Sequence, residues 1–483
     1  MRSPTDMLAS AAAEHGSSIG VVDRDTTTSW SELHDAVDDV AGRLTRLGVG
    51  PGSVAALLLP NSVTFVVAFF AAARCGAVVL PLNSGFRPGE VVAHLRQAGA
   101  SHVLVDVGRD VAELDDGVQV CQLDGLRLVS PAVGRDVCGT VATSDADALL
   151  QFSSGSTGAS KQVVRTNAAL VAEADALHRT AATQPDDVIL CVVPLFHAHG
   201  LGNGLLAAVR AGARLVVLDG FARNATVELL RREQVTLFPA VPLVFETLAA
   251  SRRLDGSVAS SVRLAFSAGA PLSRAAAEGF AARTRVGVRQ LYGCTEAGAV
   301  TLNVAGAFPE TAESVGPPLH GNVVKVLDDE GKPVAAGHEG EVAISGPSLF
   351  RGYRTPTGVD RTAFRDELYL TGDVGRIEGD ALWLGGRRTV FVNVAGNKVD
   401  PAEVERVIAA VPGVVEVVVV GVPGPGGERV KAAVVAGGVD RSTVLEACRA
   451  SLAEYKVPRI VEFVDEIPRN PMGKVLRKYL VDT

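Results

Sequence analysis

The stretch VRLAFSAGAPLSRAAAEGFAARTRVGVRQLYGCTEAG, residues 262–298, decides the fold. Two apolar runs, VRLAFSAGAP and VRQLYG, each end in small or polar residues and stand a helix's length apart. Runs without alternation are what strands need when helices cover both faces of a sheet. Upstream, VILCVVP from Val188, ARLVVLD from Ala213 and VTLFPAVP from Val235 repeat the unit, and residues 54–59, 77–82 and 102–105 form an earlier series. This is the rhythm of an α/β protein built on parallel sheets. Ligands of such sheets bind beyond the carboxyl ends of the strands, so the polar, glycine-rich tails of these runs are where chemistry is expected.

After about residue 303 the pattern changes to short alternating strands with turn signals, as in VVKVLDDEGKPVAAGHEGEVAISG, where Asp329-Glu330-Gly331 fits a hairpin turn. A small antiparallel unit is expected over about 303–384. Gly385-Gly386 offers a flexible joint. Beyond it, Asp400 reads as a helix N-cap, with Pro401 at the first helical position and Glu403 three residues after the cap. The valine-rich runs VVEVVVVGV and VKAAVVAG, a helix over about 441–453 and the run VPRIVEFVD complete a tail of about a hundred residues, enough for an α+β domain of its own.

At 483 residues the chain is long enough for about three folding units, or one large body with a smaller appendage. An apolar share of 47% with 21% charged excludes a long disordered protein. A net charge of −8 with no block of like charge removes nucleic acid and an anionic membrane as leading partners. The most lipid-like stretch, residues 63–73, spans only about 16 Å as a helix against about 30 Å of hydrocarbon, and reads as a buried helix. The N-terminus lacks a signal-peptide pattern, so the cytoplasm is the expected compartment. Cys75, Cys121, Cys138, Cys191, Cys294 and Cys448 show no zinc or disulfide spacing and are expected to be free thiols.

Four segments could carry chemistry. In FSSGSTGASK, residues 152–161, hydroxyls and glycine backbone could close around phosphate, with Lys161 adding a positive charge; composition alone favours a solvated Ser/Gly loop. Ser160 and Gln162 flank Lys161 where a Walker loop needs Gly and Ser or Thr, and Leu205 breaks the dinucleotide fingerprint in HGLGNG. In LYGCTEAG, residues 291–298, Tyr292 offers a flat face for a purine, Thr295 a hydroxyl, and Glu296 a hard oxygen ligand for Mg²⁺; alone, Glu296 reads as a solvated carboxylate. In YLTGDVG, residues 369–375, Asp373 could accept both hydroxyls of a ribose or simply occupy a hairpin turn. In PRNPMGK, residues 468–474, Lys474 is one of eight lysines against 38 arginines, in a loop stiffened by proline.

The order and spacing of these segments resemble the adenylate-forming superfamily of acyl-CoA synthetases, aryl and fatty acid ligases, luciferases and peptide-synthetase adenylation domains. The resemblance covers nearly the whole chain and includes PLFHAHGL (194–201), SAGAPLS (267–273), SVGPPL (314–319), GEVAISGP (340–347), GRRTVFVNVAGNKVDPAEVE (386–405) and YKVPRIVEFVDEIPRNPMGK (455–474). It implies a large N-terminal AMP-binding domain over 1–385, made of parallel-sheet layers plus a small β-barrel-like subdomain. A hinge at 386–389 and a small mobile α+β lid over 390–483 would follow. The implied reaction is attack of a small-molecule carboxylate on MgATP to give an acyl adenylate and pyrophosphate. A pantetheine thiol, CoA favoured, then takes the acyl group.

In that reading Ser154, Gly155, Ser156, Thr157, Gly158 and Lys161 hold the β- and γ-phosphates. Gly269, Ala270, Pro271 and Tyr292, with Gly293 and Cys294, frame adenine. Thr295 touches the α-phosphate, Glu296 and Thr157 serve Mg²⁺, and Asp373 with Arg387 holds the ribose. Lys474 reaches the carboxylate and α-phosphate oxygens during adenylation, and the lid then rotates to open a thiol tunnel past Gly396. Thr389 stands at the hinge where relatives carry Asp or Lys, Asn167 where many carry His, and residues 423–427 form a shorter glycine-rich loop. Phe196 and His197 occupy the place of the aspartate that pairs with an α-ammonium, which argues against an α-amino acid. The acyl pocket is expected to be lined by Phe196, His197, Ala297, Gly298 and Ala299; a neutral packed histidine is the alternative for His197. Nine residues follow Lys474, so a carrier protein, if it replaces CoA as acceptor, is expected to act in trans. Other oxyanions, an amine acceptor, a non-catalytic ATP-binding relative and a homodimer stay open.

Overall fold

The computed structural model describes residues 1–24, 26–110, 114, 117–129, 143–153, 161–304, 308–387, 392–424, 427–468 and 480–481, with backbone alone at 386–387. The chain divides into two units. The first comprises residues 1–84, 95–152 and 162–388; the second comprises 85–94, 153–161 and 389–483.

Both apolar series form strands in the first unit. Val188–Cys191, Arg214–Val217, Leu237–Ala240, Leu264–Ser267 and Val288–Cys294 are parallel neighbours in an eight-stranded sheet, which Gly298–Leu302 closes on one side as an antiparallel strand. Ile19–Asp23 and Thr26–Ser29 complete its other side. Val54–Leu58, Val78–Pro81 and His102–Asp106 lie at the centre of a nine-stranded sheet. The lipid-like stretch is the helix Val63–Arg74, capped by the Ser62 side chain, and residues 63–73 are all buried. Phe65, Phe69 and Phe70 join Leu104, Leu149, Ile189, Leu215 and Phe266 in one apolar core that draws on both sheets. At about 25 cal/mol per Å² of apolar surface, burial on this scale is the main force holding the layers together.

The expected antiparallel unit is present but runs to residue 387, not 384: Val323–Leu327, Gly340–Ser345, Phe364–Arg365, Leu368–Glu378 and Ala381–Arg387 form a five-stranded sheet, and Gly385-Gly386, expected as a flexible joint, lies inside its last strand, where Gly386 pairs with Val374. The turn at Asp329-Glu330-Gly331 is real but tighter than the connection that contains it. Gly331 adopts φ +83°, and Asp328 Oδ1 accepts from the Glu330 and Lys332 amides at 3.0 and 2.8 Å. Leu327 then bridges Pro333, and the next strand starts only at Gly340.

In the second unit, Val392–Val394, Asn397–Val399, Val414–Gly424, Gly427–Ala436 and Ile460–Phe463 form a five-stranded sheet with the helices Pro401–Ala409 and Arg441–Ser451. Val419 packs with Val404, Ile408, Val444 and Cys448, whereas Val418, Val420 and Val422 pack with Ile467 and Leu480. Burial on both faces explains the unbroken valine run. Asp400 caps its helix as expected, accepting from the Ala402 amide at 2.9 Å. The Glu403 carboxylate does not complete a capping box; it receives a 2.8 Å hydrogen bond from Lys456 Nζ, because a buried ammonium is a stronger donor than a backbone amide. Among the described residues Cys75, Cys121, Cys191 and Cys448 are free thiols, and no helix is long and apolar enough to cross a membrane.

Candidate active site

Parallel strands all present their carboxyl ends to one edge of a sheet, and Gly269 to Pro271 and Tyr292 to Glu296 follow from that rule. Leu264–Ser267 runs out into Gly269, Ala270 and Pro271, where Gly269 and Pro271 are exposed and Gly269 takes φ +87°. The neighbouring strand Val288–Cys294 carries Tyr292, Gly293 and Cys294 and turns back through Thr295, Glu296 and Ala297 into Gly298–Leu302. Gly298 adopts φ +68°, a backbone conformation that a glycine takes without strain.

Tyr292 is buried, and its hydroxyl donates to Asp373 Oδ2 at 2.6 Å. Burial, followed by the Asp373 charge, raises the Tyr292 phenol well above its ordinary range, so it stays a neutral donor. Asp373 lies in the strand Leu368–Glu378, directly across from Arg387 in the antiparallel register. The two residues expected at the ribose are therefore backbone neighbours, with Tyr292 bonded to one of them.

Glu296 is buried, and among the described residues it forms no ion pair. Its Oε1 accepts from the Tyr353 hydroxyl at 2.9 Å, and Tyr353 and Tyr369 share a 3.2 Å hydrogen bond. Burial first, and the Glu296 carboxylate second, push both phenols upward. Phe350 braces the pair, with ring centroids 4.9 Å from Tyr353 and 5.1 Å from Tyr369. Three of the chain's five tyrosines thus converge on the two site carboxylates. Sequence reading found Tyr292 and missed Tyr353 and Tyr369; the scarcity of tyrosine was the signal that could have found them.

A third strand, Val188–Cys191, leads to Phe196 and His197, whose rings lie 4.5 Å apart. Asn61 fixes this segment by accepting from the Leu195 amide at 2.7 Å and donating to the Val193 carbonyl at 2.9 Å; Gln151 Nε2 donates to the Phe196 carbonyl at 2.9 Å. His199, another residue the sequence reading passed over, sits between the Ala240 carbonyl (3.0 Å) and the Asn203 amide (2.7 Å). Burial pushes its imidazole down to about 4, so it is neutral near pH 7. Ala297 packs in an apolar cluster with Tyr292, Val300 and Val315, and Ala299 in the main core with Phe266 and Leu291.

The other expected residues belong to the second unit or lie outside the described residues. Lys161 begins the strand Lys161–Thr166. Gly396, in the second unit, follows Ala395 in a two-residue hairpin turn with φ values of +51° and +87°, and its amide donates to Asn393 Oδ1 at 3.1 Å. Ser154, Gly155, Ser156, Thr157, Gly158, Thr389 and Lys474 lie outside the described residues, as does the side chain of Arg387.

The family model for AMP-binding enzymes matches residues 8–354, and that for the C-terminal domain of AMP-binding enzymes matches residues 403–474. A 4-coumarate–CoA ligase of Pinus taeda is 32% identical over 482 residues, covering 94% of this chain and 90% of that protein. The long-chain-fatty-acid–CoA ligase FadD13 of Mycobacterium tuberculosis is 31% identical over 473 residues, covering 94% and 93%. A solved structure of the o-succinylbenzoate CoA synthetase of Bacillus subtilis superposes with a TM-score of 0.90 at 26% identity, covering 99% of this chain and 98% of that one. With Tyr292 and Glu296 at the end of its last parallel strand and Asp373 bonded to that tyrosine from the antiparallel sheet, the chain belongs to the AMP-binding enzyme family, as an AMP-forming ligase of the acyl-CoA synthetase type.

Proposed function

We propose that Asp373 and Arg387 grip the ribose of ATP, that Gly269 to Pro271 and Tyr292 to Cys294 frame adenine, and that Glu296 serves Mg²⁺ with Thr295 beside the α-phosphate. The register that places Asp373 opposite Arg387, with the Tyr292 hydroxyl on the same carboxylate, carries this reading. Glu296 fits a metal role by its donor chemistry: a buried carboxylate held by a neutral phenol leaves its negative charge for a cation. Among the described residues no trio of His, Cys, Asp or Glu could hold a metal by itself. That suits Mg²⁺, which is commonly bound through one or two carboxylates plus substrate phosphates. Held there by Glu296, Mg²⁺ would supply positive charge to the phosphates.

The acid's carboxylate oxygen bonds to the α-phosphorus while the bond from that phosphorus to the bridging oxygen breaks, releasing pyrophosphate. In the second step the CoA sulfur bonds to the acyl carbon, the carbon–oxygen bond to AMP breaks, and the thiol proton passes to solvent. Ser154 to Gly158 and Lys161 hold the outer phosphates, and Lys474 stabilises charge at the reacting carboxylate. Residues 386–389 hinge a lid over 390–483, and Gly396 lies along the thiol's approach. Phe196, His197 and the small residues Ala297, Gly298 and Ala299 bound the acyl pocket, which favours an acid with an apolar body, aryl or alkyl.

ATP–pyrophosphate exchange over aryl, short-chain, fatty and β-amino acids tests the first step, and trapping with CoA, a holo-carrier protein or an amine tests the second. Acid-dependent exchange followed by thioester formation with CoA is the expected result. Exchange without any thioester would reject CoA as the acceptor, and no exchange with any acid would reject the ligase reading of the site.

A further inference from the structure

Glu296 sits on a turn, and that turn is tied to a buried ion pair which no step of the proposed chemistry uses. Arg165, in the strand Lys161–Thr166, and Glu173, in the helix Asn167–Ala181, are each about 1% exposed. Arg165 Nη1 donates to Glu173 Oε2 at 2.6 Å, and Glu173 Oε1 accepts from the Ala299 amide at 3.1 Å. Arg165 Nη2 donates to the Ser348 carbonyl at 3.1 Å, while Ser348 Oγ donates to Asn322 Oδ1 at 3.3 Å. Asn322 Nδ2 donates to the Ala299 carbonyl at 3.1 Å. Arg165, Glu173, Ala299, Asn322 and Ser348 thus form a closed ring of hydrogen bonds that holds Ala299 by both its amide and its carbonyl.

The surroundings are shaped to seat the carboxylate. A Cβ at Gly202 would lie 2.1 Å from Glu173 Oε1, and one at Gly298 would lie 2.2 Å from Glu173 Cδ. Two separate segments therefore do without a side chain where the carboxylate lies. Arg165 Nε is buried with no hydrogen-bond partner among the described residues. An ion pair taken out of water gains little stability over well-packed apolar residues of similar volume. What it supplies here is geometry. Ala299 is three residues from Glu296, and the Phe350 amide, two residues from Ser348, donates to the Glu296 carbonyl at 2.7 Å. Both ends of the ring converge on the residue with the metal role.

We propose that Arg165 and Glu173 are positioning residues for the reaction: the pair fixes the turn 296–299 so that the Glu296 carboxylate is held in place for Mg²⁺. The inference rests on the metal reading of Glu296 given above. A fork is needed in Arg165 because one guanidinium nitrogen serves Glu173 and the other Ser348; a lysine cannot hold both in one plane. Glu173 needs two oxygens for the same reason.

The test compares the full-length wild type with Arg165→Met/Glu173→Met, which removes both charges and keeps apolar volume. The variant is expected to stay folded, with a thermal midpoint within a few degrees of the wild type. The Mg²⁺ concentration for half-maximal ATP–pyrophosphate exchange should rise about tenfold, as is usual when a group supporting a metal ligand is removed. Calorimetry should show weaker ATP binding with Mg²⁺ and unchanged ATP binding in EDTA, and thioester formation from a supplied acyl adenylate should change less than twofold. An unchanged Mg²⁺ midpoint, or equal loss in both half-reactions, overturns the positioning role while leaving the ligase reading intact. Absence of Mg²⁺-dependent exchange in the wild type overturns the metal reading and this inference with it. If the double variant does not fold, Arg165→Lys, which keeps the charge and loses the fork, carries the same comparison, with a smaller shift of the Mg²⁺ midpoint expected and no shift counting against the proposal.

Discussion

The Tyr292 hydroxyl donates a 2.6 Å hydrogen bond to Asp373, 81 residues further along the chain. It joins the last parallel strand of the eight-stranded sheet to the antiparallel sheet that follows it, at the point where the two residues are proposed to meet a nucleoside. Because burial keeps the phenol protonated, the bond orients Asp373 without neutralising it.

Tyr292→Phe keeps the ring and removes only this donor. Hydrogen bonds to charged groups contribute about 1.5–3 kcal/mol net. A fall of a few degrees in thermal midpoint and a change of less than about tenfold in KM for ATP are expected. Asp373→Asn should instead raise KM for ATP by about tenfold to a hundredfold, since it weakens bonds proposed for the ribose itself. Steady-state kinetics with thermal melts separates the two, and equal KM values would remove Asp373 from the ribose.

Glu296→Gln is expected to lower Mg²⁺-dependent adenylation by about a hundredfold, as loss of a group serving a catalytic metal does. Its thermal midpoint should hold or rise, because the variant no longer buries an anion beside Tyr353. Tyr353→Phe leaves the carboxylate in place and should reduce exchange by less than tenfold. An unaltered exchange rate in Glu296→Gln would take that residue out of the metal role.

For Lys474→Ala the two half-reactions should part company. Acyl-adenylate formation is expected to fall by about a hundredfold or more, while thioester formation from a supplied acyl adenylate changes far less. Rapid-quench measurement of each step decides the matter, and matching losses would argue against alternation of the lid.

His199 gives a pH dependence whose sign is fixed. Its folded pKa of about 4 lies below the unfolded value of about 6.5, so the unfolded chain binds the extra proton first as pH falls. The stability tied to neutral His199 is whole above about pH 6.5 and is lost progressively down to about pH 4. Allowing for its partial exposure, the loss is up to roughly 2 kcal/mol. Urea denaturation at pH 7.5 and 5 should show a smaller drop for His199→Gln than for the wild type; identical drops would show that His199 does not titrate with folding.

Local sequence carries the strand series in both sheets, the buried helix at 63–74 and the capping of Pro401–Ala409. Each depends on covalent neighbours or on a period of the chain, so each is legible in one dimension. The turn at 328–331 shows the limit: the tight turn was readable, but the register that delays the next strand to Gly340 depends on pairing with strands beyond it. Glu403 shows it again, since its partner Lys456 lies 53 residues away.

Sequence by itself determined the class of fold, the strand ends where chemistry is expected and the motifs that mark an adenylate-forming ligase. Only the tertiary structure decided which groups hold the site carboxylates: Tyr353 on Glu296 with Tyr369 bonded to Tyr353, Tyr292 on Asp373, and the Arg165–Glu173 pair behind the turn. The reason is physical. Strand and cap preferences act through a few consecutive residues, whereas a buried hydroxyl or carboxylate must find its partner wherever packing brings one, because leaving it unpaired away from water costs more than any local preference returns.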